Sequence, residues 1–164
     1  MNQGRFKEKN QMRRTEKEIT NRREIDAILL KAAVCRLGLI DHDTAYIVPL
    51  NFGYSNNCLY FHSAPLGKKI ELLKKNAVVC FEVDIDHEII ETGIPCNWTS
   101  KYASVIGYGK VSFITDPAQK KDALHCIINH YSPGPSYTFA DKNLKEITVI
   151  KIEITQVTGK KSRE

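Results

Sequence analysis

The sequence predicts a mainly β domain with flanking helices, built as an antiparallel barrel of about six strands. Three observations predict this class. Short strand-like segments follow one another through hairpin-like turns, helical periodicity is confined to three places, and strands and helices do not alternate as in βαβ folds. A chain of 164 residues with 42% hydrophobic residues can bury one substantial core. We therefore expect a single domain over residues 19–164, preceded by a flexible basic arm over residues 1–18.

Six segments have strand character, because their apolar residues alternate with polar ones or form short runs between turn residues. They span residues 34–40, 45–54, 58–62, 78–84, 104–114 and 147–157. The polar turn Asp41-His42-Asp43 joins the first two and predicts a hairpin. Pro49 lies inside the second segment and cannot donate a ladder hydrogen bond, so we expect that strand at a sheet edge or with a bulge.

Three segments have helical periodicity instead. Their apolar stripes are Ile25, Ile28 and Leu29, then Leu66, Ile70 and Leu73, and finally Leu124, Ile127 and Ile128. The first helix spans residues 21–33, with Thr20 or Asn21 as its N-cap. Asp116-Pro117 begins the third helix, because proline is favoured in the first turn.

Residues 86–101 contain Gly93, Pro95 and the only tryptophan with little periodicity, so we predict a long loop or short helical pieces there. Long loops inside compact domains are often functional. Gly107 and Gly109 interrupt the strand that follows. Their missing side chains indicate a bulge, a sharp coil or the close approach of another group, and both strand curvature and ligand contact remain open as reasons.

Composition bears on location and partners. The formal net charge of +5 is mild and no nucleic-acid motif accompanies it, so nucleic-acid binding is a minor alternative. The apolar runs are shorter than a membrane span and no secretory signal opens the chain, so we expect a soluble, cytoplasmic protein without membrane contact. The five dispersed cysteines suit free thiols in a reducing compartment, and without a C-x-x-C pair they predict no metal site.

The stretch LYFHSAPLGKKIELLKKN over residues 59–76 predicts an anion site. His62 and Ser63 end a strand, while Lys68 and Lys69 stand at the start of a helix whose dipole favours negative charge. The dipole does not favour lysines there, so their presence suggests an anionic partner. The first glycine and the Ser/Thr position of a P-loop are not matched, because His62 and Lys69 stand there, and the dinucleotide fingerprint is incomplete as well. An ordinary strand–loop–helix connection stays the alternative.

Five motifs together resemble a known family. They are VPLNFGY (48–54), LYFHSAPLGKK (59–69), VCFEVD (79–84), NWTSKYASVIGYGKV (97–111) and TGKKS (158–162). In order and spacing they resemble the pyridoxamine 5′-phosphate oxidase-like flavoproteins, whose fold is an FMN-binding split β-barrel. Within that family the similarity is closest to the nitroimidazole-resistance (Nim) group, and it covers nearly the whole chain from about residue 19.

The resemblance implies a homodimer with FMN, or alternatively FAD, at the subunit interface. By this resemblance the isoalloxazine ring would lie beside Pro49, Leu50 and Asn51. The phosphate end would be held by His62, Ser63, Ala64, Lys68 and Lys69. A further strand that approaches the flavin would contribute Ser104 and Val105. Trp98 or Tyr102 would stack on the ring, although a loop aromatic more often lines an interface or a core. We expect residues 94–102 to cross to the partner.

The activity implied by the resemblance is that of a flavin-dependent oxidoreductase. Electrons would come from a reduced nicotinamide or another donor and pass to a small acceptor, nitroaromatic compounds included. His62 is the candidate catalytic residue, with a structural role at the strand end as the alternative. Ala103 stands where relatives commonly have a charged residue, and the arginine-rich ending of pyridoxamine phosphate oxidases is missing, which disfavours vitamin B6 oxidation. A non-enzymatic flavin- or haem-binding module is the second hypothesis.

Overall fold

The computed structural model describes residues 12–135 and 137–162, which fold around one antiparallel sheet. Its strands are β1 (Glu18–Ile19), β2 (Cys35–Asp41), β3 (Thr44–Leu50), β4 (Gly53–Ser55), β5 (Cys58–Ser63), β6 (Val78–Ile90), β7 (Thr99–Ile114) and β8 (Thr148–Lys161). The helices are α1 (Arg22–Lys31), α2 (Lys68–Lys75), α3 (Pro117–Tyr131) and α4 (Asp141–Glu146). The predicted class, mainly β with flanking helices, is confirmed.

The strands are ordered β3-β2-β6-β7-β8-β5-β4, and β1 pairs with β8 beside this path. Within the described residues, β3 and β4 each have a neighbouring strand on one side only, so the sheet stays open, as in a split barrel. Over residues 12–135 and 137–162 the sheet has eight strands where the sequence predicted about six, because the predicted strand over residues 45–54 is two strands and β1 was not anticipated.

The hairpin of β2 and β3 forms where the sequence predicted it. His42 in its turn has a φ of 54°, and the Thr44 hydroxyl donates to the Asp41 carbonyl at 2.9 Å. Pro49 lies in β3, which is an edge strand, so the prediction made from this proline is confirmed. After Leu50 the chain leaves the edge, and pairing resumes at Gly53 in β4.

The predicted loop over residues 86–101 is largely a hairpin, which corrects the sequence interpretation. β6 continues to Ile90 and β7 already begins at Thr99, leaving a short connection that contains a 3-10 turn at Pro95–Asn97. A bulge between Ile85 and Glu88 shifts the register and interrupts the alternation that would have revealed the strands. We call residues 86–101, which include this bulge, the arm; it is distinct from the basic N-terminal arm predicted over residues 1–18.

Among the residues that the structure describes, two hydrophobic clusters stabilise the fold. The larger packs α1 and α2 against the inner face of the sheet, with Leu29, Leu37, Phe61, Phe81 and Ile152 fully buried. The smaller packs α3 and α4 against the outer face of β5 and β8, with Ala123, Leu124, Ile127, Leu144 and Val149 as its members.

Gly107 and Gly109 serve close packing of the strands. A Cβ on Gly107 would lie 2.4 Å from Cζ of Phe81, and one on Gly109 would lie 2.4 Å from Cγ2 of Ile152. The register of β7 and β8 also shifts between Tyr108 and Gly109, so a bulge and a close approach are both confirmed. Close packing explains the missing side chain at both glycines, and Gly109 also adjoins the bulge.

The starts of two helices agree with the sequence. Asn21 caps α1 by accepting a hydrogen bond from the Arg23 amide at 3.0 Å, and Asp116 caps α3 through the Gln119 amide at 2.9 Å. Before α1, Thr15–Lys17 forms a 3-10 turn and Glu18–Ile19 pairs with β8. The rest of the predicted basic arm, residues 1–11, lies outside the described residues. Across the described part of the chain, no helix has the length and apolar character that a membrane span requires.

Candidate functional site

The predicted phosphate end forms one continuous turn between β5 and α2, which we call the 62–69 turn. β5 ends at Ser63 and α2 begins at Lys68. Gly67 occupies the N-cap position with a φ of 123° and provides no side-chain cap. A Cβ added to Gly67 would have no neighbouring atom within 4 Å, so the space beside it is open. The first amides of α2, which have no partner within the helix, therefore lie beside two lysines.

Lys68 forms an ion pair with an acidic residue of the β2–β3 hairpin. Its Nζ lies 2.5 Å from Oδ2 of Asp41 and 4.9 Å from the centre of the Tyr46 ring. The hydrogen bond from Lys68 lowers the pKa of the Asp41 carboxyl, and the same contact raises the pKa of Lys68. Sequence reasoning missed Asp41 and Tyr46, because a contact between a hairpin turn and a distant helix leaves no local signal.

Lys69 is the other cation of this turn, and its environment is different. Its side chain is partly buried, and burial lowers the pKa of its ammonium group. Among the described residues it has no hydrogen-bond or ion-pair partner. A partly buried cation without a counter-ion is an unfavourable arrangement that an anionic ligand would relieve.

β3 connects the phosphate end to the predicted ring-binding residues. Tyr46, near the start of β3, lies under Lys68, and Pro49 follows three residues later, about 10 Å along an extended strand. Pro49 and Asn51 are exposed, while Leu50 is partly buried and packs against the larger core. One edge strand thus runs from the lysines to the Pro49–Asn51 segment.

The sheet register puts Pro49 and Ser104 on the same outer face. Pro49 pairs with Arg36, Arg36 with Glu82, and Glu82 with Ile106, and Ser104 lies two residues before Ile106. Between them, the Arg36 guanidinium binds the carboxylates of Glu82 at 3.0 Å and of Asp84 at 2.5 Å. Sequence reasoning missed this ion-pair group, because cross-strand neighbours are known only once the register is known.

Val105 points the other way. Its side chain is fully buried in the core, and its main chain pairs with Val83 on one side and Gly159 on the other. A ligand on the outer face would therefore meet Ser104 and Ile106 rather than the Val105 side chain. A role for Val105 in flavin binding stays a prediction.

His62 and Trp98 are both exposed and lie in separate parts of the fold. His62 is in β5 opposite Val149, with no recorded side-chain partner in the part of the chain that the structure describes. Trp98 lies in the arm, where its Nε1 donates to the Thr92 carbonyl at 3.0 Å and 46% of its surface is exposed. Within one chain, Trp98 belongs neither to the edge strand nor to the 62–69 turn.

The end of α3 holds the chain where it leaves β3. The Tyr131 hydroxyl accepts a hydrogen bond from the Phe52 amide at 2.9 Å and donates one to the Ala33 carbonyl at 2.9 Å. His130 packs its ring on Phe52 with 4.5 Å between centres, and its Nε2 lies 2.7 Å from the Ala32 carbonyl. These contacts fix the residue that directly follows Pro49–Asn51.

A cavity of about 450 Å³ lies elsewhere, between α3 and the β4–β5 hairpin. Tyr60, Cys126 and Lys151 are among its lining residues, and none of the predicted site residues lines it. All five cysteines carry free thiols. Over residues 12–135 and 137–162, no group of three His, Cys, Asp or Glu side chains is arranged to hold a metal ion.

Comparison with known proteins gives a family match over most of the chain. Residues 21–161 match the profile of the family described as pyridoxamine 5′-phosphate oxidase. No curated protein matches the chain.

Several solved structures share the fold. A protein of Bacteroides thetaiotaomicron assigned to 5-nitroimidazole antibiotic resistance is 35% identical, with a TM-score of 0.79 over 87% of this chain and 85% of that one. An FAD-binding protein of Mesorhizobium loti is 26% identical, with a TM-score of 0.61 over 87% of this chain and 95% of that one. An FAD- and haem-binding protein of Mycobacterium smegmatis is 18% identical, with a TM-score of 0.82 over 90% of this chain and 74% of that one, and it shows the fold alone.

Proposed function

This chain belongs to the pyridoxamine 5′-phosphate oxidase family, and from that membership we propose that it binds FMN and acts as a flavin-dependent oxidoreductase. The observation that carries the proposal is Lys69, a partly buried cation beside an open helix start, which has no counter-ion among the residues that the structure describes. The flavin phosphate is dianionic near neutral pH and suits this position. Lys68 and the Ser63 hydroxyl are near enough in the chain to complete the phosphate contacts.

The flavin ring would lie along the edge strand. Pro49 offers no N–H to another strand, so the main-chain groups beside it are available to a planar ligand. Tyr46 and Pro49 are about 10 Å apart along β3, and their side chains point to opposite faces, so a ligand with its phosphate at Lys68 and its ring beside Pro49 would pass around this open edge. Asn51 is exposed and carries an amide that can donate and accept hydrogen bonds. The flavin supplies the redox chemistry, and these residues bind and orient it.

His62 is the proposed proton donor or acceptor for the reacting molecule. Its ring is exposed and has no recorded partner in the described residues, so it is available to a ligand. Changing His62→Gln should lower the rate of electron transfer to the acceptor per bound flavin; flavin affinity is measured separately, because His62 also begins the 62–69 turn. A loss of flavin affinity without an effect on turnover per bound flavin would make His62 a binding residue only.

The functional unit we propose is a homodimer that completes the flavin site. Ile47 and Tyr108 share a row on the outer face, joined through Gly38 and Cys80, and 65% and 39% of their surfaces are exposed. Ile106 adds a further exposed apolar side chain two residues away. On the arm, Trp98 and Ile94 are exposed as well. A second copy of the chain would cover such surfaces and bring its arm to the ring.

A small nitroaromatic compound is the proposed acceptor, because the 35% identical relative is assigned to 5-nitroimidazole antibiotic resistance. A reduced nicotinamide is the proposed electron donor. The free thiols favour a reducing compartment, so we place the protein in the cytoplasm. FAD is the alternative cofactor, since the 26% identical relative binds FAD.

The deciding experiment starts with the absorbance spectrum of the purified protein. Denaturation should release a flavin, and chromatography against FMN and FAD standards should identify it as FMN. Rapid mixing with NADH or NADPH without oxygen should then bleach the flavin, and a 5-nitroimidazole should restore its colour. If no flavin is released and neither FMN nor FAD binds at micromolar concentration, the proposal is wrong. If flavin binds but is neither reduced nor reoxidised, the protein is a binding module.

A further inference from the structure

The ion pair of Asp41 and Lys68 joins two elements that are distant in sequence. Asp41 ends β2 at the hairpin turn, and Lys68 begins α2. Their charged atoms are 2.5 Å apart, and Asp41 is the more buried of the two, with 21% of its side chain exposed against 53% for Lys68. The lysine is held from a second side by the Tyr46 ring.

This contact makes the two adjacent lysines electrically unequal. Lys68 already has a carboxylate partner, whereas Lys69 has no recorded partner among the described residues. A phosphate that reached Lys68 would come close to the Asp41 carboxylate, and like charges at such distances repel. An exposed ion pair is weak enough for a dianion to compete with it.

We propose that Asp41 is the internal counter-ion of the phosphate site: it occupies Lys68 before the ligand binds and thereby lowers the affinity of the site for phosphate. This inference rests on the proposed binding of a flavin phosphate at the 62–69 turn. Asp41 sets how strongly the site prefers a phosphorylated flavin over riboflavin, which has no phosphate. It does not touch the ring, so riboflavin affinity is independent of it.

The test compares Asp41→Asn with Asp43→Asn, which removes an equal charge from the same hairpin turn. Among the described residues Asp43 forms no ion pair, and Lys68 is bound to Asp41 instead, so the control keeps the Lys68 contact. FMN and riboflavin affinities are measured by fluorescence titration, and the rise in melting temperature with inorganic phosphate is measured on the same variants. Circular dichroism checks that each variant is folded.

We expect Asp41→Asn to increase FMN affinity about threefold to tenfold and to leave riboflavin affinity unchanged within about twofold. The rise in melting temperature with phosphate should become larger. Asp43→Asn should change all three much less. Adding Lys68→Ala should remove the effect of Asp41→Asn, because the two residues act as a pair. The inference is overturned by any of three results: equal effects of the two aspartate changes, an increase in riboflavin affinity as well, or a decrease in FMN affinity.

The phosphate measurement separates this inference from the proposed function. If the wild-type protein binds no flavin but phosphate stabilises Asp41→Asn more than Asp43→Asn, the counter-ion role stands and the flavin proposal fails. If flavin binds while phosphate stabilises neither variant more than the wild type and FMN affinity is unchanged, the counter-ion role fails alone.

Discussion

The Tyr131 hydroxyl and the Phe52 amide are hydrogen-bonded at 2.9 Å, across the gap between the end of α3 and the break between β3 and β4. The same hydroxyl donates to the Ala33 carbonyl after α1. One side chain therefore joins three segments, and the Phe52 end of this connection adjoins the proposed ring-binding residues.

Changing Tyr131→Phe should remove both hydrogen bonds and keep the ring. We expect a loss of about 1–2 kcal/mol in unfolding free energy, because the part-buried Phe52 amide loses its acceptor. The affinities for FMN and riboflavin should fall by the same factor, since the change affects the segment proposed to bind the flavin ring and not the phosphate site. Urea unfolding and flavin titration measure these effects. Tyr137→Phe is the control, and a stability loss equal to that of Tyr131→Phe would contradict the explanation.

Replacing Lys69 with alanine should lower the affinity for FMN more than the affinity for riboflavin. Lys69→Ala deletes the cation that has no recorded protein partner, so FMN affinity should fall about 10- to 100-fold and riboflavin affinity by less than about twofold. Lys68→Ala should cost less than Lys69→Ala, because Lys68 is already paired with Asp41. Lys75→Ala, at the far end of α2, is the charge-matched control. Equal losses of FMN and riboflavin affinity would place the lysines away from the phosphate.

The preference for FMN should fall at high pH. Burial lowers the pKa of Lys69 below the usual 10.5, so its folded-state ammonium loses its proton at a lower pH than an exposed lysine would. The phosphate needs the charged form, so the ratio of FMN to riboflavin affinity should decline before pH reaches that value. Using the ratio cancels the titration of the flavin ring. Lys69→Arg should keep the ratio constant over the same range, and a decline of similar size in that variant would rule out Lys69 as the cause.

Trp98→Ala should weaken dimerisation and flavin retention together. Light scattering of the wild type should give about twice 18.6 kDa, and the variant should shift toward the monomer at low concentration. Leu30→Ala removes another exposed apolar side chain, which lies on α1 outside the arm, and should change neither property. A wild-type monomer with fully bound flavin would contradict the shared site and leave the flavin proposal intact.

Gly107→Ala should destabilise the sheet. The new methyl group would overlap the Phe81 ring, whose Cζ lies 2.4 Å from its position, and such overpacking costs about 1–3 kcal/mol. Gly134→Ala is the matched control, because the nearest atom to its added Cβ is 3.9 Å away. Thermal unfolding of both variants measures the effect. A fully stable Gly107→Ala protein would show that Phe81 and the main chain at Gln156, whose carbonyl oxygen lies 2.8 Å from the added Cβ, can both move aside.

The sequence predicted those features that depend on neighbouring residues. Asn21 and Asp116 cap helices through amides two and three residues away, and Pro49 marks an edge strand by a property of its own ring. α4 was missed because its six residues bury only Leu144 and show no helical stripe. The arm was missed because a bulge breaks its alternation.

The candidate site was predictable only in part. The two lysines and the glycine that precedes them are visible as a local pattern, but the partner of each lysine is not. Asp41 reaches Lys68, and Tyr131 reaches Phe52, only because the sheet and helices bring distant segments together. No spacing rule along the chain predicts which lysine of an adjacent pair will be neutralised.

The open edge at β3 also bears on whether β-strands of different molecules can pair with one another. An unpaired edge strand is a template on which a strand of another molecule can add, and repetition of that event leads to fibres. Pro49 interrupts the row of donors along β3, so an incoming strand could not bond continuously along it. The same residue that leaves main-chain groups available to a planar ligand thus also limits the pairing of another molecule's strand with this edge.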